Sequence, residues 1–352
     1  MNRCSRTASS ISHRSDRRTI GRAWRAWAVA ACSILLSYVT PVQAQERIFR
    51  IEVHPIDTLA LTTPQVLSGE TQGAHATIAG ELRLPAVSDE QRLPAVVLAH
   101  GAGGVYGNAD AWADAINDLG VAVFIVDSFS GRGFINPTTV VGQTKDAAAV
   151  SGLVMIVDAY RALALLAKHP RIDPGRIALM GFSRGGITAL YASLTRFQQQ
   201  YGPPGVQFAA YVPVYPLCSY ALADDERLSG GPVRIFHGTA DNITPIDSCR
   251  RYVERLRRAG RNVQITEYSG AHHGYDMAVL SEPRNYPELQ NFGGCFFEER
   301  PRGTLVNADT GKPVSATDAC VSRGATLGYD PSAYAATRKA VRELVLKTLL
   351  NP

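Results

Sequence analysis

The chain has 352 residues, 45% of them hydrophobic and 19% charged, with a formal net charge of +5. That length suits one large α/β domain or two small ones, and the composition is that of an ordinary globular protein. Seven arginines and one aspartate fall in residues 1–44; beyond them 29 basic and 30 acidic side chains remain, so no basic surplus argues for nucleic acid as a partner.

From the N-terminus, residues 1–44 read as a cleavable export signal. A basic stretch precedes an apolar run from Ala26 to Val39, broken only by Cys32, Ser33 and Ser37. Pro41-Val42-Gln43-Ala44 then supplies small or modest residues at the positions a signal peptidase reads. Cleavage is expected after Ala44, which makes residues 45–352 the mature domain and the location periplasmic or secreted. A permanent membrane anchor is not expected, since the run is shorter than the roughly 20 apolar residues a spanning helix needs. Arg17-Arg18 fits a twin-arginine signal poorly beside Asp16 and Gly21. Val29-Ala30-Ala31-Cys32 looks like a lipoprotein box, but the apolar run continues past it.

Next come apolar, β-rich runs alternating with helical patterns. Expected strands are Ile48–Val53, Ala76–Leu84, Ala95–Ala99, Val121–Val126, Arg176–Met180, Phe208–Tyr215, Val233–His237 and Val263–Tyr268. The alternation predicts an α/β fold: a mostly parallel, doubly wound sheet of about eight strands with helices on both faces. The first two strands precede any expected helix and should form an antiparallel, hairpin-like edge. Residues 146–168 carry the clearest helical spacing (Val150, Leu153, Val154, Val157, Ala164), ended by Lys168-His169-Pro170. Residues 277–329 break the alternation, being rich in Gly, Pro and aromatics; they read either as a lid or substrate wall, or as a stapled surface excursion. Asp330-Pro331 is an N-cap with proline in the first turn, opening a last helix to about Leu350.

Four cysteines lie beyond the signal. An even count in an exported chain favours disulfides. Cys218 follows one expected strand and Cys249 the next, so Cys218 should pair with Cys249, leaving Cys295 for Cys320.

Three motifs carry the chemistry: Gly181-Phe182-Ser183-Arg184-Gly185, His237-Gly238-Thr239-Ala240-Asp241, and Gly270-Ala271-His272-His273-Gly274-Tyr275. Their order, serine then acid then histidine, is that of α/β-hydrolases. A serine hydroxyl is a weak nucleophile that needs an oriented base. His273 would be that base, with Asp241 fixing its tautomer. A strand-to-helix turn exposes the serine, and Gly181 and Gly185 let helix and strand pass closely. The tetrahedral intermediate needs N–H donors, expected from the backbone of Arg184 and of Ala102 in the loop His100-Gly101-Ala102-Gly103-Gly104, with Gly103 as alternative donor and candidate substrate contact. His272 beside His273 makes the choice of base ambiguous; in similar enzymes the base precedes a glycine and an aromatic, which selects His273. His100 and His237 read as local structural histidines, and Asp127 as a loop-holding acid. Arg132 is a candidate for a substrate carboxylate, though a structural salt bridge is the better reading. No His/Cys/Asp cluster shows metal-ligand spacing, so neither metal nor cofactor is expected.

At these residues the chain resembles the dienelactone hydrolase family of α/β-hydrolases. The matching pieces are His100 to Gly104, Val126-Asp127-Ser128-Phe129, Arg176 to Gly186, Gly238-Thr239-Ala240-Asp241 with Pro245, and His273-Gly274-Tyr275-Asp276. The resemblance implies hydrolysis of a small ester or lactone through a covalent acyl-enzyme. The name-giving lactonases use cysteine as nucleophile where this chain has Ser183, so the resemblance speaks for mechanism more than for substrate. A peptidase or acyltransferase on the same fold, and a non-catalytic binding protein on that scaffold, are the competing readings.

Overall fold

Strand residues that are apolar on both faces must be covered on both faces, and this requirement sets the architecture. In the computed structural model, which describes residues 50–86, 92–134, 150–313, 315 and 317–351, successive side chains of one strand join different cores. Ala95, Val97 and Ala99 face one apolar cluster, while Val96 and Leu98 face the other. The expected export signal lies outside the described residues. Among those residues, no helix is long and apolar enough to cross a membrane.

In chain order the elements are β1 (Arg50–Leu59), α1 (Thr63–Leu67), β2 (His75–Leu84), β3 (Leu93–Ala99), α2 (Gly107–Asn117), β4 (Ala122–Asp127) and α3 (Met155–Leu166). There follow β5 (Ile172–Phe182), α4 (Arg184–Tyr191), α5 (Thr195–Tyr201), β6 (Ala210–Val214), β7 (Tyr220–Ala221), β8 (Val233–Gly238), α6 (Ile246–Arg258) and β9 (Val263–Tyr268). The last part comprises β10 (Arg284–Asn291), β11 (Phe297–Arg300), β12 (Thr304–Asn307), β13 (Ser322–Leu327) and α7 (Pro331–Val345).

All eight expected strands form one sheet in the order β1-β2-β4-β3-β5-β6-β8-β9. β1, β2 and β4 pair antiparallel, and the pairs from β4–β3 through β8–β9 are parallel. The chain therefore folds as a mostly parallel, mixed α/β sheet with flanking helices. One face carries α3, α4 and α5 through Tyr160, Leu163, Tyr191 and Phe197. The other carries α2 and α7 through Trp112, Ile116, Val341 and Val345.

Three details depart from expectation. A one-turn helix, α1, stands between β1 and β2, so this edge is not a tight hairpin. α3 begins at Met155 rather than 146; Ser151 stops it there, its hydroxyl accepting the Val154 N–H at 3.2 Å and its carbonyl the Met155 N–H at 3.1 Å. Residues 146–149 lie outside the described set. The segment 277–329 holds four strands that were not expected: β10 and β13 form one small sheet, and β12 and β11 join β7 in another. Both disulfides pair as expected, Cys218–Cys249 and Cys295–Cys320. Asp330 caps α7, accepting the Ser332 and Ala333 N–H groups.

Candidate active site

Ser183 stands between β5 and α4 with φ 53° and ψ −110°, a conformation that turns the chain sharply and lifts the side chain off the sheet edge. Its N–H donates to the Val214 carbonyl at 2.9 Å, tying the turn to the neighbouring strand. The flanking glycines are steric requirements. A Cβ on Gly181 would sit 2.0 Å from the Gly185 carbonyl oxygen, and one on Gly185 would sit 2.1 Å from that of Ala99.

The three motif residues converge. His273 Nε2 lies 2.9 Å from Ser183 Oγ, and its Nδ1 lies 2.8 Å from Asp241 Oδ2. Asp241 is buried, and its other oxygen accepts the Ile243 and Thr244 N–H groups, each at 2.9 Å. Burial pushes its carboxyl up, but the adjacent His273 and the Thr244 N–H outweigh that, so Asp241 titrates below its ordinary range. His272 turns the other way and bonds the Ala240 carbonyl through Nδ1 at 3.0 Å. His237 is buried and contacts the Gly238 and Pro216 carbonyls, the local role expected of it.

Thr244 is a participant the motifs did not reveal. Its hydroxyl is 2.9 Å from Asp241 Oδ2, 3.2 Å from His273 Nδ1 and 3.2 Å from the Tyr215 carbonyl. It fixes the carboxylate oxygen that receives the imidazole N–H. The Asp-x-x-Thr spacing of Asp241 and Thr244, an Asx-type turn, was the available signal.

The glycine-rich loop lies beside Ser183: a Cβ on Gly101 would be 3.7 Å from Ser183 Cβ. Gly104 N–H bonds the Gly101 carbonyl at 3.2 Å, placing Ala102 and Gly103 at the tip of the turn. Tyr106 covers Gly103, since a Cβ there would fall 2.1 Å from its ring. Arg184 is the first residue of α4, so its backbone N–H belongs to the helix N-terminus beside Ser183. Its guanidinium bonds the Val150 carbonyl at 3.0 Å and lies 5.7 Å from the Phe129 ring centroid; burial lowers its pKa to about 10. His100 is the loop's structural pin. Its Nδ1 is 2.7 Å from the Gly101 carbonyl and its Nε2 accepts the Ser128 N–H at 3.1 Å, so the ring is neutral with its proton on Nδ1; burial favours that state.

Arg132 is engaged within the protein, in the salt bridge that was the better reading of it. Both terminal nitrogens grip Asp158 at 2.8 Å, and the pair is buried. Thr58 of β1 donates to the same carboxylate at 2.7 Å, so this cluster clamps the edge strand to α3. The salt-bridge reading replaces the carboxylate-binding one. Asp127 accepts the Phe129 and Ser130 N–H groups, as a loop-holding acid should.

Among the described residues, one group gathers metal-capable atoms within 4.8 Å of one another: Glu52, His54 and His169. Sequence spacing could not show it, since His169 is 117 positions from Glu52. His169 Nδ1 accepts the Arg171 N–H at 3.2 Å, which leaves the proton on Nε2, directed at Glu52 3.1 Å away. That tautomer makes a hydrogen bond where a metal would need a lone pair.

The sequence pattern of the dienelactone hydrolase family matches residues 83–285. The chain belongs to the dienelactone hydrolase family. The name of that family marks its members as hydrolases. Its fold is similar to that of a dienelactone hydrolase-like promiscuous phosphotriesterase from metagenomic libraries, with TM-score 0.51 and 19% identity over 85% of this chain and 98% of that one. The solved protein m3DLH is similar with TM-score 0.54 and 20% identity over 85% and 99% of the two chains. Among curated proteins, acyl-protein thioesterase 1 of Gibberella zeae is 32% identical over 115 residues, which is 32% of this chain and 46% of the fungal protein. Its Emericella nidulans namesake is 24% identical over 133 residues, 38% of this chain and 55% of that one. The chain thus spans about half the length of the curated relatives it matches.

Proposed function

We propose that this protein is an exported serine hydrolase that cleaves a carboxylic ester or lactone through an acyl-enzyme on Ser183. The observation that carries this reading is the unbroken hydrogen-bond chain Ser183 Oγ–His273–Asp241, with links of 2.9 and 2.8 Å. His273 Nε2 takes the hydroxyl proton as Oγ bonds to the substrate carbonyl carbon. The backbone N–H groups of Arg184 and Ala102 receive the oxyanion. As the intermediate collapses, the alcohol leaves with the proton from His273, and water repeats the cycle on the acyl group. Asp241, charged at neutral pH, holds the tautomer that leaves Nε2 free to accept.

We infer that the described part of residues 277–329 serves as a wall beside this site. The Thr326 N–H donates to Asn242 Oδ1 at 2.9 Å, and the Gly328 N–H donates to the His273 carbonyl at 3.1 Å. Cys295–Cys320 staples the segment internally. The signal-like residues 1–44 and the two disulfides support export to the periplasm or medium.

A fluorophosphonate probe applied to the disulfide-intact mature protein, beside Ser183→Ala, tests the reading. The expected outcome is labelling at Ser183 alone and a turnover loss of about 10⁴-fold or more in the variant. Ester cleavage that survives Ser183→Ala would refute the assignment. The fungal thioesterase relatives favour a second reading in which the leaving group is a thiol. Matched oxygen-ester, thioester and amide substrates, compared by kcat/KM, separate the esterase, thioesterase and peptidase readings.

A further inference from the structure

We propose that Asp276 and Tyr215 form a positioning pair for His273, and that Asp276 couples the histidine loop to the helix carrying the glycine-rich loop. The inference rests on the triad reading above and adds the groups that aim its base.

Asp276 stands three residues beyond His273 and is 2% exposed. Its Oδ1 accepts the Tyr215 hydroxyl at 2.6 Å. Its Oδ2 accepts Trp112 Nε1–H at 2.9 Å and Asn108 Nδ2–H at 3.3 Å. Asn108 and Trp112 are one helical turn apart on α2, which starts just after the Gly101–Gly104 turn. One carboxylate therefore binds three segments: the loop that bears His273, the end of β6, and the helix that follows the glycine-rich turn.

Tyr215 passes this restraint to the imidazole. Its ring centroid lies 4.7 Å from that of His273, at an interplanar angle of 58°, and 5.4 Å from that of Tyr275. Its backbone is pinned as well: the N–H donates to the Phe236 carbonyl at 2.8 Å, and its carbonyl faces the Thr244 hydroxyl. The residue before it, Val214, receives the Ser183 N–H. Tyr215 thus stands where the supports of nucleophile, acid and base meet, at a φ of 37° that a tyrosine seldom adopts.

The pair has a chemical use beyond packing. When His273 takes the serine proton it becomes a cation, and an aromatic ring within about 6 Å stabilises a cation through its π-face. A phenol that donates to a carboxylate is polarised, and its ring becomes richer in electrons. The Asp276–Tyr215 bond thereby favours the imidazolium that exists only during turnover. Burial pushes the Asp276 carboxyl up against the pull of its three donors. Both residues act through His273, so they are positioning residues rather than catalytic ones.

The test uses Asp276→Asn, Tyr215→Phe and the double variant of the mature, disulfide-intact protein, assayed with a short p-nitrophenyl ester. Each single change should lower kcat about tenfold or more, leave KM within about twofold, and slow fluorophosphonate labelling in parallel. Because the two groups act as one unit, the double variant should be no slower than the slower single. Unchanged kcat, a loss confined to KM, or losses that multiply in the double variant would overturn the proposal. If Asp276→Asn fails to fold, Trp112→Phe removes one donor from the side remote from His273. It should lower kcat about threefold at constant KM, and an unchanged kcat there also overturns the idea. Ser183→Ala run alongside keeps the two readings apart: if it abolishes turnover while the pair is silent, only this inference falls.

Discussion

Ser183 and His273, the proposed nucleophile and base, are held by different means on opposite sides of one site. Ser183 rests on the central sheet: β5 delivers it, α4 carries the chain away, and the contacts around it are backbone against backbone. Gly181 and Gly185 approach so closely that no side chain fits at either position. Asp241 and His273 sit on loops beyond β8 and β9, toward one edge of the sheet. Side chains and an added segment hold them: Thr244, Asn242, and the stretch from β10 to β13. Asn291 of β10 bonds the Asn242 carbonyl through its side-chain amide, and Thr326 of β13 bonds the Asn242 side chain. The geometry of Ser183 is thus built into the fold, whereas that of Asp241 and His273 depends on particular side chains that single substitutions can remove.

The comparison is sharpened most by Asp241→Asn. It keeps the shape of the side chain but no longer selects the right tautomer of His273, so kcat should fall about 10⁴-fold in a steady-state ester assay while the fold persists. A loss below about tenfold would mean that the acid side is not organised as described. Thr244→Val tests the side-chain support more gently. Removing one hydrogen bond to a charged oxygen should lower kcat about tenfold with little change in KM. Next comes the staple on the added segment. Replacing Cys295 and Cys320 by serine should cost about 3 kcal/mol of stability, read from chemical denaturation. Limited proteolysis of that variant should cut first within residues 277–329. If the sheet is cleaved as early, the two sides are not separately supported.

The smallest effect is electrostatic. Burial raises the Asp276 carboxyl in the folded protein, despite its three donors. Its contribution to stability is complete below the ordinary aspartate pKa near 3.9 and declines as pH rises toward the folded value. Asp276→Asn lacks this titration, so its deficit in denaturation midpoint relative to the parent should be larger at pH 4 than at pH 7. Asp241 acts with the opposite sign. Its lowered carboxyl gives stability that is present above the ordinary range and is lost as pH falls through the folded value.

The same contrast decides what could be read from sequence. β3 and β5 were legible because runs such as Val96-Val97-Leu98 are apolar on both faces and bounded by turn residues. Ser183, Asp241 and His273 were legible because each stands in a short local pattern set by backbone geometry. β10 to β13 were not, because they are largely polar, and β10 contains Pro287. Tyr215 ends an apolar run like an ordinary core residue, and Asp276 stands out only as the last residue of His273-Gly274-Tyr275-Asp276. Their roles depend on partners 61 positions apart, beyond the reach of local spacing. Glu52, His54 and His169 were missed for the same reason. Arg132 was ambiguous until Asp158 appeared beside it.

The backbone at Ser183 sets stability and activity against each other. A residue with a Cβ held at φ 53° and ψ −110° lies outside the comfortable regions, at a cost of about 1–3 kcal/mol. Glycine would relieve that cost and would also remove the hydroxyl. Selection for thermal endurance alone would therefore drift toward glycine at this position and remove the proposed nucleophile, while consensus or random stabilisation elsewhere would leave the trade-off untouched. Heat-resistant variants that retain turnover should gain their margin in the sheet edges and the stapled segment, with the elbow unchanged.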